Sequence, residues 1–153
     1  MYFRIMSEHI LKRHNKTLLL YHLVFPLKYR KSVINNEIGE GLKYICLEIS
    51  ERYEVHFIEI GYESNHVNFL VQSIPNYSVS KMIRMLKSIS AKQLFQRFPE
   101  IKTKSWGGKF WTSGFYVNTV GQYSNEEVIR EYVKNQGMEK EYRKVHSNQL
   151  TLF

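Results

Sequence analysis

The sequence predicts an α+β protein with a ferredoxin-like fold, in which an antiparallel sheet carries two helices on one face. The hydrophobic patterns run strand, helix, strand, strand, helix, strand, which is the βαββαβ order of that fold. The chain has 153 residues and 43% hydrophobic content, enough for one globular domain with a core. An additional C-terminal helix follows these six elements.

Each element is assigned from its period and its bounding residues. The predicted elements are strands at 18–25, 55–60, 66–73 and 114–120, helices at 37–52, 79–95 and 124–136, a turn at 61–65 and a loop at 98–111. The strands are dense in branched and aromatic residues, as in the run LLLYHLVF that Pro26 stops. The helices repeat apolar residues at steps of three and four, as they do from Ile38 to Ile49. Ser124 opens the last helix and Gly137 follows its end.

The same patterns predict three segments along the chain. Residues 1–16 show no clear period and are predicted to be a flexible N-terminal arm. Residues 17–137 form the folded domain, and residues 138–153 form a polar C-terminal tail. We find no internal repeat.

Composition limits the classes of function. A net charge of +8 and a pI near 9.5 favour a polyanionic partner such as nucleic acid. No run approaches the ~20 apolar residues of a membrane-spanning helix, so we expect no membrane partner. The single cysteine, Cys46, excludes an intramolecular disulfide and a thiolate zinc cluster, and its helical position predicts a core residue. No secretory leader is visible, so a cytoplasmic location is expected.

The strand at 66–73 carries the first candidate site. Side chains alternate across a strand, so His66 and Asn68 project side by side, on the face opposite to Val67 and Phe69. An imidazole nitrogen and an amide oxygen on one face are able to hold a divalent metal. The alternative is that both are ordinary polar residues on a solvated sheet face.

The last helix carries the second candidate site. Tyr132 and Gln136 are four residues apart and therefore share one helical face. The alternative places Tyr132 in the core beside Val128 and Val133. The chain has 11 tyrosines, and spacing alone does not choose among them.

Basic residues interleaved with aromatic ones form the third pattern, which suits single-stranded nucleic acid. The predicted DNA-binding residues are Lys28, Arg30, Lys31, Arg84, Lys87, Lys104, Trp106 and Lys109. The alternative is a solvated basic surface above core aromatics such as Phe110 and Trp111.

Five blocks in order resemble one family, the TnpA-type single-tyrosine HUH transposases of small insertion sequences (insertion sequence 200/605 family). The blocks are Tyr21-His22-Leu23-Val24-Phe25 with Lys28-Tyr29-Arg30, the His66 strand, Ser78-Val79-Ser80 with Leu86-Lys87 and Ser90-Ala91, Phe110-Trp111 with Gly114-Phe115-Tyr116-Val117 and Thr119-Val120-Gly121, and Tyr132-Val133 with Gln136. The resemblance runs from about residue 16 to residue 136.

The resemblance implies an enzyme that cleaves and rejoins single-stranded DNA at the hairpin ends of an insertion sequence. It implies that Tyr132 is the nucleophile and forms a 5′-phosphotyrosine bond. It implies that His66, Asn68 and Gln136 hold Mg²⁺ or Mn²⁺. It further implies a homodimer whose active sites are shared between subunits.

The chain departs from the family pattern at the metal site. The family has Asp-His-hydrophobic-His where this chain has Asn65-His66-Val67-Asn68. An amide oxygen suits Mg²⁺ but is a weaker ligand than imidazole for transition ions. A second hypothesis is therefore a relative that binds DNA hairpins and does not cleave them. A third hypothesis, a module that binds single-stranded RNA on its sheet, lacks the aromatic-rich strand that such modules use.

Overall fold

The computed structural model describes residues 9–104 and 108–120. Its elements are β1 (Ile10–Leu11), β2 (Lys16–Thr17), β3 (Leu19–Pro26), a 3₁₀ turn (Lys28–Arg30), α1 (Asn36–Arg52), β4 (His56–Tyr62), β5 (His66–Ser73), α2 (Val79–Arg97), α3 (Pro99–Lys104) and β6 (Tyr116–Val120). The predicted helix at 124–136, with Tyr132 and Gln136, lies outside the described residues, as does Trp106.

The main sheet has four antiparallel strands in the order β4-β5-β3-β6. Strands β3 and β5 are therefore adjacent at the centre of the sheet. They are the first and third of its four strands in chain order, and the ferredoxin-like fold requires this arrangement. Both α1 and α2 bury their apolar side chains in one core cluster with one face of this sheet. The predicted fold class is confirmed.

Side-chain caps set the starts of both long helices. The Asn35 side chain accepts a hydrogen bond from the amide of Ile38 at 2.8 Å, and the Ser78 hydroxyl accepts one from the amide of Lys81 at 3.1 Å. Such caps satisfy amides that have no partner within the helix. The predicted starts at residues 37 and 79 therefore lie within one residue of the observed ones.

The core lies between the helices and the helix-facing side of the sheet. Phe69 on β5 packs edge-to-face against Phe25 and Phe57, with ring centroids 5.0 and 5.5 Å apart. Cys46 on α1 is buried there as predicted, and burial raises the pKa of its thiol. At Gly39 a Cβ atom would lie 2.3 Å from the ring of Tyr62, so the absent side chain lets α1 approach β4 closely.

Strand β4 contains a β-bulge that aligns its side chains with the two faces of the sheet. Phe57 pairs with Val71, but the next pair joins Glu59 to Leu70, so Ile58 is an extra residue. Phe57 and Ile60 therefore both face the helices, although they are three residues apart. Ile58 instead joins a small apolar cluster with Leu20 and Leu70 on the opposite face.

The structure corrects the predicted loop at residues 98–111, since Pro99–Lys104 forms a helix. Proline suits a first helical position because its missing amide hydrogen is not needed there. Ile101 is fully buried in the core, and this tertiary contact outweighs the local basic, glycine-containing composition.

Two further elements differ in extent from the predicted ones. Strand β4 continues to Tyr62, so the predicted turn at 61–65 shortens to three residues. Within the predicted flexible arm, β1 pairs with β2, and Lys12 forms an ion pair with Glu54. Strands of two residues are too short to show a period.

Within the described part of the chain, no helix has the length and hydropathy needed to cross a membrane.

Candidate active site on the sheet

The face of the sheet that points away from the helices carries the predicted pair His66 and Asn68. Strand alternation places them there because Val67, Phe69 and Val71 all belong to the helix-side core. The predicted juxtaposition on one face is therefore observed. The alternative of a solvated polar face is wrong for these two residues, since His66 is 2% and Asn68 3% exposed.

A third polar side chain, His22 on β3, lies against this pair. In the antiparallel register Val24 is opposite Asn68, so His22 is the diagonal neighbour of Asn68. The His22 Nε2 atom lies 3.2 Å from the Asn68 Oδ1 atom, and His22 is only 6% exposed. Sequence reasoning gave His22 no role, because a cross-strand diagonal depends on register, which alternation within one strand does not reveal.

The protonation of His22 determines the direction of that contact. Burial lowers the pKa of His22, and the hydrogen bond to Asn68 opposes this effect to a smaller extent. A neutral ring with its proton on Nε2 donates to the amide oxygen of Asn68. This bond fixes which way the Asn68 amide points.

His66 has a corresponding neighbour in Asn65. The His66 Nδ1 atom lies 3.0 Å from the Asn65 Oδ1 atom. When Nδ1 carries the proton and donates it to this amide oxygen, the ring lone pair is on Nε2, the form in which imidazole binds a metal. The Asn65 amide thus orients the His66 ring, and because the amide is neutral it supplies no negative charge.

Strand β4 places no side chain beside Asn68. Its residue opposite Asn68 is Gly61, which has no side chain. On the other side, β6 continues the polar face, because the ring of Tyr116 lies edge-on to His22 with centroids 6.1 Å apart. Asn118 then donates to the Tyr116 hydroxyl at 3.2 Å.

These two donors combine a ligand type that suits a hard divalent cation, the amide oxygen, with one that suits a transition ion, the imidazole nitrogen. His66 and Asn68 offer one imidazole nitrogen and one amide oxygen, both neutral, and Mg²⁺ accepts oxygen ligands of this kind. Across residues 9–104 and 108–120, no three His, Cys, Asp or Glu side chains cluster closely enough to hold a metal. The third predicted ligand, Gln136, lies outside that part.

The predicted DNA-binding residues fall into separate regions. Lys28, Arg30 and Lys31 lie in or beside the turn after β3, next to the end of the sheet that carries His66. Arg84 is exposed on α2, in the helical layer. Lys104 ends α3, and Lys109 is exposed ahead of β6.

Lys87 is directed inward from α2. Its Nζ atom donates to the carbonyl oxygens of Thr112 at 2.8 Å and Gly114 at 2.6 Å. It also lies 5.3 and 5.4 Å from the ring centroids of Phe25 and Phe115. Burial lowers the pKa of Lys87 to about 8. Lys87 therefore holds the segment that leads into β6, while its DNA contact stays a prediction.

Phe110 and Trp111 belong to the core. They are 2% and 5% exposed, and the indole nitrogen of Trp111 donates to the Ser90 hydroxyl at 2.9 Å. Of the two interpretations of these aromatics, the structure therefore supports core packing.

Known proteins are similar to this chain in sequence and in fold. Residues 15–136 match the family of IS200-like transposases. The ISDra2 transposase TnpA of Deinococcus radiodurans is 30% identical over 118 residues, covering 77% of this chain and 84% of that protein. The transposase of insertion sequence element IS200 from Salmonella typhimurium is 32% identical over 123 residues, covering 80% of each chain.

Two solved structures resemble the fold. The crystal structure of a Deinococcus radiodurans protein assigned as a transposase matches with a TM-score of 0.66 and 28% identity, covering 84% of this chain and 98% of that one. A REP-associated tyrosine transposase bound to a REP hairpin matches with a TM-score of 0.51 and 11% identity, covering 81% and 67%. The second likeness concerns the fold alone. From the match over residues 15–136 and the two curated relatives, the chain belongs to the family of IS200-like transposases.

Proposed function

We propose that this chain cleaves and rejoins single-stranded DNA at the hairpin ends of an insertion sequence, with Tyr132 as the nucleophile. The observation that carries the proposal is the buried polar row of His22, Asn68 and His66 on a sheet face. Burying polar groups costs free energy unless their hydrogen bonds are satisfied, and apolar residues would pack this face at lower cost. A chemical use of the row accounts for its presence in a transposase.

In the proposed reaction, the Tyr132 oxygen attacks a backbone phosphorus atom of single-stranded DNA. A bond forms between the tyrosine oxygen and the phosphorus, and the bond from phosphorus to the 3′ oxygen breaks. The phenol loses its proton and the leaving 3′ oxygen ends as a hydroxyl. The 5′-phosphotyrosine keeps the phosphodiester energy, so a 3′-hydroxyl can reverse the step and rejoin strands.

We propose that His66, Asn68 and Gln136 hold a divalent cation, Mg²⁺ or Mn²⁺. Such an ion, when bound, neutralises phosphate charge and favours attack by a phenol, whose pKa near 10 keeps it mostly protonated at neutral pH. His22 acts as a positioning residue by holding the Asn68 amide, and Asn65 does the same for His66.

The proposed partners are DNA hairpins and a second copy of the chain. A structural neighbour was solved with a REP hairpin bound, which supports a hairpin ligand for this fold. The basic turn Lys28–Arg30 beside the His66 end of the sheet supplies charge for a phosphate backbone. We further propose a homodimer with active sites shared between its subunits.

One observation favours a second function, a relative that binds hairpins without cleaving them. Both Asn65 and Asn68 are neutral amides, so the described half of the site brings no carboxylate to the cation. A weakly bound cation would lower cleavage while leaving the basic surface unchanged.

Covalent capture of DNA on a denaturing gel tests the proposal. The full chain is mixed with Mg²⁺ or Mn²⁺ and labelled single strands from the DNA that flanks its own gene. Tyr132→Phe and Asn68→His run beside it, with Tyr44→Phe as the matched control, because Tyr44 is a 58% exposed tyrosine on α1. We expect a shifted covalent band from the parent and from Tyr44→Phe, and none from Tyr132→Phe.

The other outcomes separate the two functions. A band from Asn68→His alone would mean that the substrate is right and the parent's metal site is too weak for cleavage. A band that persists in Tyr132→Phe would assign the nucleophile to another tyrosine. Hairpin binding with no band from any variant would support the non-cleaving function.

A further inference from the structure

Tyr29 adopts a backbone conformation that costs free energy. It lies in the 3₁₀ turn Lys28–Arg30 with φ 57° and ψ 18°, the left-handed region. In the described chain it is the one residue other than glycine with positive φ. For a bulky side chain this conformation costs about 1–2 kcal/mol. The side chain is nevertheless 65% exposed, so core packing does not offset that cost.

Hydrogen bonds hold this turn against the end of the sheet that carries His66. The amide of Leu27 donates to the Asn65 carbonyl at 2.9 Å, and the amide of Lys28 donates to the Phe110 carbonyl at 2.8 Å. Because Asn65 precedes His66, and Pro26 is the strand partner of His66, the backbone of Tyr29 lies at the end of the sheet that carries the candidate active site, three residues beyond that strand partner.

A positive charge lies beside the ring, in a basic stretch of the chain. The Lys28 Nζ atom lies 5.2 Å from the Tyr29 ring centroid. Arg30 and Lys31 follow directly in the chain. An exposed aromatic ring in a basic stretch of chain suits single-stranded nucleic acid, because a base stacks on the ring while the cations of that stretch attract the phosphates.

We propose that Tyr29 is a stacking platform for an unpaired nucleobase of the DNA strand that enters the active site. The identity of the ligand as single-stranded DNA rests on the proposed function. Stacking on a ring tolerates any base, so Tyr29 holds the strand in place and does not read its sequence.

Tyr44 shows that exposure and a nearby cation do not by themselves define this site. Tyr44 is 58% exposed, and the guanidinium of Arg97 lies 5.9 Å from its ring centroid. Yet Tyr44 lies on α1, which covers the face of the sheet opposite to the one that carries His66 and Asn68. Its backbone has ordinary helical geometry. It is therefore the matched control for Tyr29.

The test measures binding of oligo(dT) of about 20 nucleotides, longer than the site of a typical single-strand binder. One thymine at a time is replaced by 2-aminopurine, whose fluorescence falls when it stacks. The full chain is studied with EDTA present, so cleavage plays no part. The variants are Tyr29→Asn, Tyr29→Phe and Tyr44→Ala. Asparagine tolerates positive φ, so Tyr29→Asn removes the ring without adding backbone strain.

We expect Tyr29→Asn to weaken binding about tenfold, the size of one lost base–aromatic stack. Fluorescence quenching at one position of the strand should disappear with it. Tyr29→Phe should bind within about twofold of the parent and Tyr44→Ala should equal the parent. The dependence of affinity on salt should be the same in all four proteins, because no phosphate contact is removed.

Equal affinity of Tyr29→Asn and the parent would overturn the proposal, as would an equal loss in Tyr44→Ala. Failure of the parent to bind any oligo(dT) would overturn it too. The thermal midpoint of Tyr29→Asn, expected to equal or exceed that of the parent, shows that lost binding is not lost folding. If the base stacks but no covalent band forms on the gel, the role of Tyr29 as a stacking platform would stand and only the proposed cleavage reaction would be rejected.

Discussion

The two faces of the sheet use the same strands for different purposes. On β5, Val67, Phe69 and Val71 face the helices and are entirely apolar, whereas His66 and Asn68, which alternate with them, face the other way. Both sets are almost fully buried. The exposed fraction of a side chain therefore does not distinguish a packing residue from one with a chemical role here. The group that each side chain contacts does distinguish them. Phe69 contacts rings, and Asn68 contacts an imidazole.

The largest expected effect is on stability and comes from the helix-facing side. Phe69→Ala should lower the free energy of unfolding by about 3–5 kcal/mol, since it leaves a cavity between Phe25 and Phe57. Urea denaturation measures this loss. The fraction that remains folded should bind Mn²⁺ as the parent does. A matching loss of Mn²⁺ affinity in the folded fraction would show that the two faces are not independent.

Removing one partner of the buried polar pair should have the next largest effect. His22→Leu removes the hydrogen bond that the Asn68 amide oxygen accepts from His22, which costs about 1–3 kcal/mol, whereas the double variant His22→Leu with Asn68→Leu should be close to the parent in stability. Urea denaturation of the four proteins measures the cycle. Additive losses would mean that the pair makes no stabilising contact.

The same variant distinguishes positioning from mere packing. His22→Leu should weaken Mn²⁺ binding about tenfold or more, and His22→Gln, which keeps an N–H donor, should recover most of it. Electron paramagnetic resonance of free Mn²⁺ gives the affinity. Equal affinities in the leucine and glutamine variants would limit His22 to a structural role.

A moderate effect is expected when the imidazole of the family pattern is restored. Asn68→His should tighten Mn²⁺ binding about tenfold, equal to about 1.4 kcal/mol, because imidazole is the stronger ligand for transition ions. Calorimetry measures it. Asn76→His, at an exposed position in the turn after β5, is the control and should change nothing. Unchanged affinity in Asn68→His would remove position 68 from the metal site.

The smallest effect at neutral pH comes from the helical layer, and it changes with pH. The pKa of Lys87 is lowered from 10.5 to about 8, so between these values the unfolded chain binds more protons than the folded one. The stability of the parent relative to Lys87→Met should therefore rise as pH increases from about 8 to about 10.5. Near pH 7 the substitution should cost about 1 kcal/mol through the lost bonds to Thr112 and Gly114.

Urea denaturation at several pH values tests the Lys87 prediction. Lys92→Met, an exposed lysine of the same helix, should show no such trend relative to the parent. A flat difference between the parent and Lys87→Met would mean that the ammonium remains charged throughout this range.

Much of the fold could be predicted because local patterns determine it. The apolar spacing from Ile38 to Ile49 and the alternation from His66 to Ser73 reflect how each element meets the core, so their bounds agree with the structure to within about one residue. Pro99–Lys104 could not be predicted from such patterns, since one buried contact at Ile101 stabilises a helix that is too short to show a period.

The candidate site was predictable only within a single strand. Alternation placed His66 and Asn68 on one face, but it gave neither their burial nor the approach of His22. The contact between His22 and Asn68 joins residues 46 positions apart and depends on how β3 and β5 align. This register arises from the packing of the whole sheet, so the sequence of either strand alone does not determine it.

The bulge in β4 gives the chain a tolerance to changes in length. Ile58 is the residue in excess, so deleting it would join Phe57 directly to Glu59 in an unbroken ladder opposite Val71 and Leu70. Every remaining side chain of β4 would keep its present face. That deletion would remove the fully buried Ile58 side chain from its cluster with Leu20 and Leu70, whereas deleting Phe57 or Ile60 would remove a side chain from the helix-side core. The register of this sheet is therefore compatible with a β4 strand that is one residue shorter at position 58.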